Sequence, residues 1–154
     1  MSEAVPMEFT EYHTRLAAYV LIVDDQDRVL LAWWNGEGHS EPEWSLPGGG
    51  IDFDESIMAG VVREVFEETG YDVEPGALLT EHHFTARGRT FDGWFRSQRF
   101  VFEATITGGE LGTTEVGGST DHAQWVPLSE LDGQPRSEIV DIALAARERK
   151  PASR

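Results

Sequence analysis

The first apolar stretch, residues 15–23, is rich in β-branched and aromatic side chains and runs into Asp24-Asp25-Gln26-Asp27, a turn-like cluster. A second apolar run, residues 28–34, follows at once, so the pair predicts a β-hairpin. Residues 35–43 mix Gly, Ser, Pro and acids without period, as a surface loop does. Trp44-Ser-Leu-Pro-Gly-Gly-Gly50 predicts a loop made for its shape, because consecutive glycines admit backbone conformations closed to other residues and let a ligand approach the main chain.

From Asp54 the period becomes helical. Ala59, Val62, Val65 and Phe66 recur at spacings of three and four, with Asp54 placed to cap the start and Gly70 to stop the end, which predicts a helix over residues 55–69 with those four side chains in the core. Two β-rich stretches, 81–86 and 94–105, predict a second hairpin with a long tip. Residues 108–120 are Gly- and Thr-rich loop, 122–126 a short strand, 127–131 a turn, and 137–149 a closing helix with Ile139, Ile142, Leu144 and Ala145 apolar. The order predicts one domain, residues 1–154, mixing α and β around one sheet, with no internal repeat and no linker.

Charge changes the picture more than length does. Twelve Lys and Arg stand against 28 Asp and Glu, a net charge of −16 that repels a nucleic-acid backbone or an anionic membrane and argues against DNA binding. No cysteine is present, which excludes disulfides, thiolate metal sites and cysteine nucleophiles. The first fifteen residues carry acids and a proline but no apolar core, so no leader is expected, and the longest apolar run is too short to span a bilayer. A cytoplasmic location is the expectation.

Candidate chemistry sits on the first helix. Glu64, Glu67 and Glu68 fall within roughly a 100° arc of one face, and like charges so placed repel unless a cation compensates. Hard carboxylate oxygens on a rigid element suit Mg²⁺ or Mn²⁺, which fill their remaining positions with water and substrate phosphate. Arg63, four residues before Glu67, is placed to orient a carboxylate, and Glu55 is expected at the helix entrance, where the dipole favours an anion. Gly60 in mid-helix costs about 1 kcal/mol relative to Ala, so a close contact is expected there.

A Glu-rich surface helix is common; the full pattern is not. Gly49, Glu55 six positions on, Arg63-Glu64 after seven intervening residues, then Glu67-Glu68 and Gly70 are seven fixed positions, matched by chance at about one in 10⁸ per starting position. This pattern, Gly49 to Tyr71 with the preceding Trp44-Ser-Leu-Pro-Gly-Gly, resembles the complete Nudix box; Tyr71 stands where the family usually has an aliphatic residue. Trp125-Val-Pro-Leu-Ser-Glu-Leu131 extends the likeness over most of the chain.

The resemblance implies an α/β/α sandwich with a mixed β-sheet. It also implies hydrolysis of a nucleoside diphosphate linked to another group, such as a nucleoside triphosphate, ADP-ribose, a nucleotide sugar or a dinucleoside polyphosphate. By resemblance, Glu64, Glu67 and Glu68 with the Gly48 carbonyl hold two or three Mg²⁺ or Mn²⁺ ions, Arg63 orients and Glu55 supports. The general base is left between Glu64 and the later-loop acids Glu115 and Asp121. Substrate choice lies outside the box: Arg87, Arg89 and Arg96 are candidates for phosphate or ribose. A base-stacking platform is sought among Trp33, Trp34, Phe84, Phe91, Trp94 and Phe95. Members are often homodimers, but the sequence marks no interface. An isomerase of the family would use a cysteine, and a DNA-binding regulator would need spare length and a different charge. The rival from another class is a sensor that binds the nucleotide or ADP-ribose without cutting it.

Overall fold

The computed structural model describes residues 7–151. In chain order the elements are β1 (Tyr12–Leu21), β2 (Arg28–Trp34), β3 (Glu43–Ser45), β4 (Gly48–Gly50), α1 (Ile57–Thr69), β5 (Tyr71–Arg87), β6 (Trp94–Gly109), β7 (Thr120–Pro127) and α2 (Glu138–Arg149), with single 3₁₀ turns at Gly36–Gly38 and Leu128–Glu130. The fold class is the expected mixture of two helices and mixed sheet, but the strands divide into two sheets instead of one. The four-stranded sheet runs β4-β1-β6-β5 and the three-stranded sheet β3-β2-β7. Among the strand pairs of the described residues only β1–β6 is parallel, with one isolated parallel bridge between Trp44 and Arg136.

The first predicted hairpin is a correction. Residues 15–23 and 28–34 meet at the turn, through the Val23–Val29 bridge and a bond from Leu30 N to Ile22 O, and then part into different sheets. The reason is that each strand has both edges taken, β1 by β4 and β6, and β2 by β3 and β7. Each is also buried on both faces. Ala18, Val20 and Leu30 point into a core beneath α1, while Leu21, Val29 and Leu31 point into a second core with Ile139, Val140 and Ala143 of α2. The second hairpin forms as expected and is longer, β5 and β6 pairing from Tyr71–Gly109 to Arg87–Trp94, with register shifts near Pro75 and Leu78.

Helix α1 starts two residues later than the sequence suggests. Ser56, not Asp54, is the cap, its hydroxyl accepting from Ala59 N at 3.0 Å, so Glu55 stands outside the helix. The end is as expected: Gly70 turns left-handed at φ 79° and its N–H returns to Phe66 O. The buried face is rotated from the expected one. Gly60, Val61, Val65, Glu68 and Thr69 are inside, whereas Ala59 is exposed, Val62 half-buried and Phe66 41% exposed. Val61 and Val65 pack against Ala18, Val20 and Leu30 of the sheet, and Glu68, on the same face of the helix, is carried inward to the glycine strand. Gly60 has its close contact, since a Cβ there would lie 2.5 Å from Ile51 Cδ1 and 2.7 Å from Glu55 Oε1. In α2 likewise the buried positions are Ile139, Val140, Ala143 and Ala146, with Ile142, Leu144 and Ala145 only partly covered. The expected absence of a leader rests partly on residues 1–6, outside the described residues; no helix among the described residues is long and apolar enough to cross a membrane.

Candidate active site

The segment read as a loop at 44–50 contains two short strands, and its glycines fit because a side chain has no room. A Cβ on Gly48, at φ 141°, would lie 2.1 Å from Ala18 O, and one on Gly49 would lie 2.8 Å from Glu64 Oε2. Strand β4 is thereby pressed between the main chain of β1 and a carboxylate of α1. Glu68, 9% exposed, accepts a hydrogen bond from Gly48 N at 3.0 Å; burial pushes its carboxyl up to about 8, against the lowering effect of that bond.

Arg63 is the centre of a carboxylate ring. Its Nε and Nη2 donate to the two oxygens of Glu55 at 2.8 and 2.9 Å, Nη1 donates to Glu64 at 3.0 Å, and longer contacts of 3.3 and 3.4 Å reach Glu67. The arginine thus orients Glu55 first and the box carboxylates Glu64 and Glu67 second, where the sequence expected it to orient a carboxylate of the cluster. Its hydrogen bonds from Arg63, then the amide of Asp52, hold the Glu55 carboxyl down at about 2. Burial raises Glu64 above the usual carboxylate range, opposed by Arg63.

One pH prediction follows from Glu55. Its carboxyl titrates near 4.5 ordinarily and near 2 when folded, so the clamp contributes fully above pH 4.5 and is lost as the pH falls toward 2. Urea unfolding at a series of pH values should show wild type losing more stability across that window than Glu55→Gln does. Equal slopes in the two proteins would remove the clamp from the account.

These groups line a polar cleft of about 610 Å³ with Asn35, Glu37, Arg63, Glu64, Glu67, Glu115, Gly117, Gly118 and Ser119 at its wall. Glu115 arrives from the loop between β6 and β7, which is tied to the last turn of α1. Gly112 N donates to Thr69 O, Thr113 Oγ1 to Glu68 O, and the amides of Thr114 and Glu115 to Glu67 O. The loop satisfies helix-end carbonyls that would otherwise lack partners.

The structure therefore brings Glu64, Glu67, Glu115 and Arg63 to one cleft. Glu68 lies behind it against Gly48, and Asp121, on β7, accepts a bond from Asn35 Nδ2 at 3.1 Å and is not at the cleft wall. The candidate substrate arginines are elsewhere. Arg87 lies over the Trp94 ring at 5.0 Å, Arg96 donates to Gln98, and Arg89 belongs to the tip between β5 and β6; none of them lines the cleft. Of the aromatic candidates, Phe84 packs edge-on to Phe95, Phe91 tilts against His13, and Trp33 stacks on His122.

The sequence missed Asn35 and Glu37. Asn35-Gly36 marks a turn, but nothing in the pattern shows that the turn reaches the helix. Glu37 is left-handed at φ 49°, a conformation costing a non-glycine residue roughly 1–2 kcal/mol. It is retained at the cleft wall, where strain concentrates when surrounding contacts fix it.

The donor chemistry suits a hard divalent cation, with carboxylates and a nearby backbone carbonyl and one arginine among them. Among the described residues no three acidic or histidine side chains converge on one point, and Arg63 occupies the carboxylates that would turn toward a metal.

The family model described as the NUDIX domain matches residues 13–145. A "putative nudix hydrolase 1" of Caenorhabditis elegans is 30% identical over 142 residues, 88% of this chain but 36% of that protein, so the chain spans about a third of that relative's length. A "putative 8-oxo-dGTP diphosphatase" of Bacillus subtilis is 29% identical over 114 residues, 74% of this chain and 67% of the relative. Among solved structures, a MutT protein from Methanosarcina mazei superposes with a TM-score of 0.67 at 26% identity, over 92% of this chain and 99% of that one.

Proposed function

Because the chain belongs to the Nudix hydrolase family, we propose that it forms a single domain that hydrolyses a phosphoanhydride bond in a nucleoside diphosphate linked to another group, with Mg²⁺ or Mn²⁺ bound. The observation that carries this reading is the placement of Glu64, Glu67 and Glu115 with Arg63 along the wall of one cleft beside the glycine strand. Glu64, Glu67, Glu68 and the Gly48 carbonyl are the groups that would hold the metal. When bound, the ions supply neutralisation of the diphosphate and acidify the attacking water.

The chain's own residues do the rest. Arg63 keeps Glu64 and Glu67 in position through charge-assisted bonds, anchored in turn on Glu55. Water attacks phosphorus in line, a new P–O bond forms as the bridging P–O bond breaks, and the water proton passes to a carboxylate. Glu115 is the better of the two later-loop candidates for that proton, since it shares the cleft with Glu64 and Glu67 while Asp121 is engaged by Asn35. The cleft wall carries four carboxylates and the chain a net charge of −16, so the substrate is a small nucleotide brought in with its cations and not a nucleic-acid duplex.

The assay is release of phosphate and nucleoside monophosphate from nucleoside triphosphates including 8-oxo-dGTP, ADP-ribose, nucleotide sugars and dinucleoside polyphosphates. It is run with Mg²⁺, with Mn²⁺ and with chelator. Turnover of one substrate class that chelator abolishes is expected. Nucleotide binding without release across the panel would replace the hydrolase with the sensor.

A further inference from the structure

The acidic cleft is lined by α1, by the turn after β2 and by the loop before β7, and the last two, more than eighty residues apart in sequence, are joined by Asn35. Asn35 follows β2, where the β2–β7 ladder ends irregularly: Trp33 pairs with His122 and Trp34 with Thr120, so Asp121 is left as the extra residue of a bulge. Asn35 continues the contact between the two segments past that point through its main-chain N–H and its side-chain amide. Its N–H donates to Ser119 O at 2.8 Å, its Nδ2 donates to Gly118 O at 3.0 Å and to Asp121 Oδ1 at 3.1 Å, and its Oδ1 accepts from Glu37 N at 2.9 Å.

The first three bonds fix the loop that carries Glu115, and the fourth fixes the left-handed turn that carries Glu37. Gly117, itself left-handed, has no atom within 4 Å of where a Cβ would stand, so packing does not hold the loop there. The position of Glu115 relative to Glu64 and Glu67 rests on the bonds at the two ends of its loop: those to the end of α1, and those to Asn35.

We infer that Asn35 is a positioning residue, which sets the width of the cleft by bracing the loop of Glu115 against the turn of Glu37. The inference rests on the hydrolase reading for its catalytic consequence, but the bracing itself is a property of the protein without ligand. The Asn side chain is needed because it donates to the loop and accepts from the turn; Asp in its place keeps the acceptor, loses both donor bonds and sets a second carboxylate against Asp121.

The test compares wild type, Asn35→Ala, Asn35→Asp and the swapped pair Asn35→Asp with Asp121→Asn. In the swapped pair the amide at position 121 can donate to the carboxylate at 35, which restores the bridge with its polarity reversed. Amide hydrogen exchange at residues 115–121 and 36–38, measured without substrate or metal, is expected to speed up at least tenfold in both single variants and to recover in part in the swapped pair. Exchange in the core of α1 should stay within twofold of wild type.

Mn²⁺ titration followed by electron paramagnetic resonance should show affinity at least fivefold weaker in Asn35→Ala, which removes the brace without adding charge to the cleft. With the substrate found by the panel, kcat should fall about tenfold in Asn35→Ala with KM changed less than threefold. Unchanged exchange at 115–121 in a folded Asn35→Ala overturns the bracing, and so does a swapped pair no better than Asn35→Asp. If wild type turns over nothing, the hydrolase reading fails, while the exchange measurement still decides the brace.

Discussion

Glu68→Gln is expected to lower turnover at least about a hundredfold, ~2.7 kcal/mol of barrier, while the protein stays folded. The carboxylate is enclosed at the back of the glycine strand, 9% exposed, with one hydrogen bond from Gly48 N and the negative charges of Glu64 and Glu67 nearby. An uncompensated charge in such a place is unfavourable, and the amide avoids it while still accepting from Gly48. Fold and activity should therefore separate: the thermal midpoint is unchanged or raised, and kcat is lost because a neutral oxygen is a poorer partner for a divalent cation. Glu67→Gln should lose turnover to the same extent from a more open position, its side chain being 31% exposed. Steady-state kinetics beside thermal unfolding decides the matter. A folded Glu68→Gln or Glu67→Gln with wild-type turnover would remove that residue from the metal set.

Gly48→Ala is expected to destabilise the fold by roughly 2–5 kcal/mol, combining a left-handed conformation with overpacking against main chain. The Cβ would stand 2.1 Å from Ala18 O and 2.6 Å from Tyr19 Cα, and backbone in the centre of a sheet cannot retreat as a flexible side chain can. Relief requires β4 to leave β1, which withdraws the Gly48 N–H from Glu68 and shifts the carbonyl assigned to the metal. Gly112→Ala is the matched control: nothing lies within 4 Å of its Cβ, and its effect should stay within about 0.5 kcal/mol. Urea denaturation of the three proteins gives the comparison, and Gly48→Ala as stable as Gly112→Ala would mean that the strand is free to move.

The box residues were legible because their chemistry and their structural demands coincide in one short segment. Gly70 ends α1 where a left-handed residue is required, Gly60 meets Ile51 and Glu55, and Glu64 and Glu67 share a cleft with the arginine beside them. The long hairpin of β5 and β6 was equally readable from its composition and its tip. The face of α1 was not. Ala59, Val62 and Phe66 match a helical stripe as well as Val61 and Val65 do, and the choice between the two stripes fell to the packing of α1 on the sheet, where Val61 and Val65 meet Ala18, Val20 and Leu30.

Local pattern and residue chemistry thus determined most of the elements, though not β3, β4 or the first half of β5, together with the family and the set of acids and glycines from which the site is built, since each depends on neighbours in sequence. Strand partners, the rotation of α1, the placement of Glu115 at the cleft and of Asp121 away from it, and the presence of Asn35 and Glu37 at the cleft were decided only by the tertiary structure. The physical reason is that an edge, a face or a wall is defined by what packs against it. β1 parts from β2 because its edges are already taken, and Asn35 matters because the chain returns, at residues 118–121, to the end of β2.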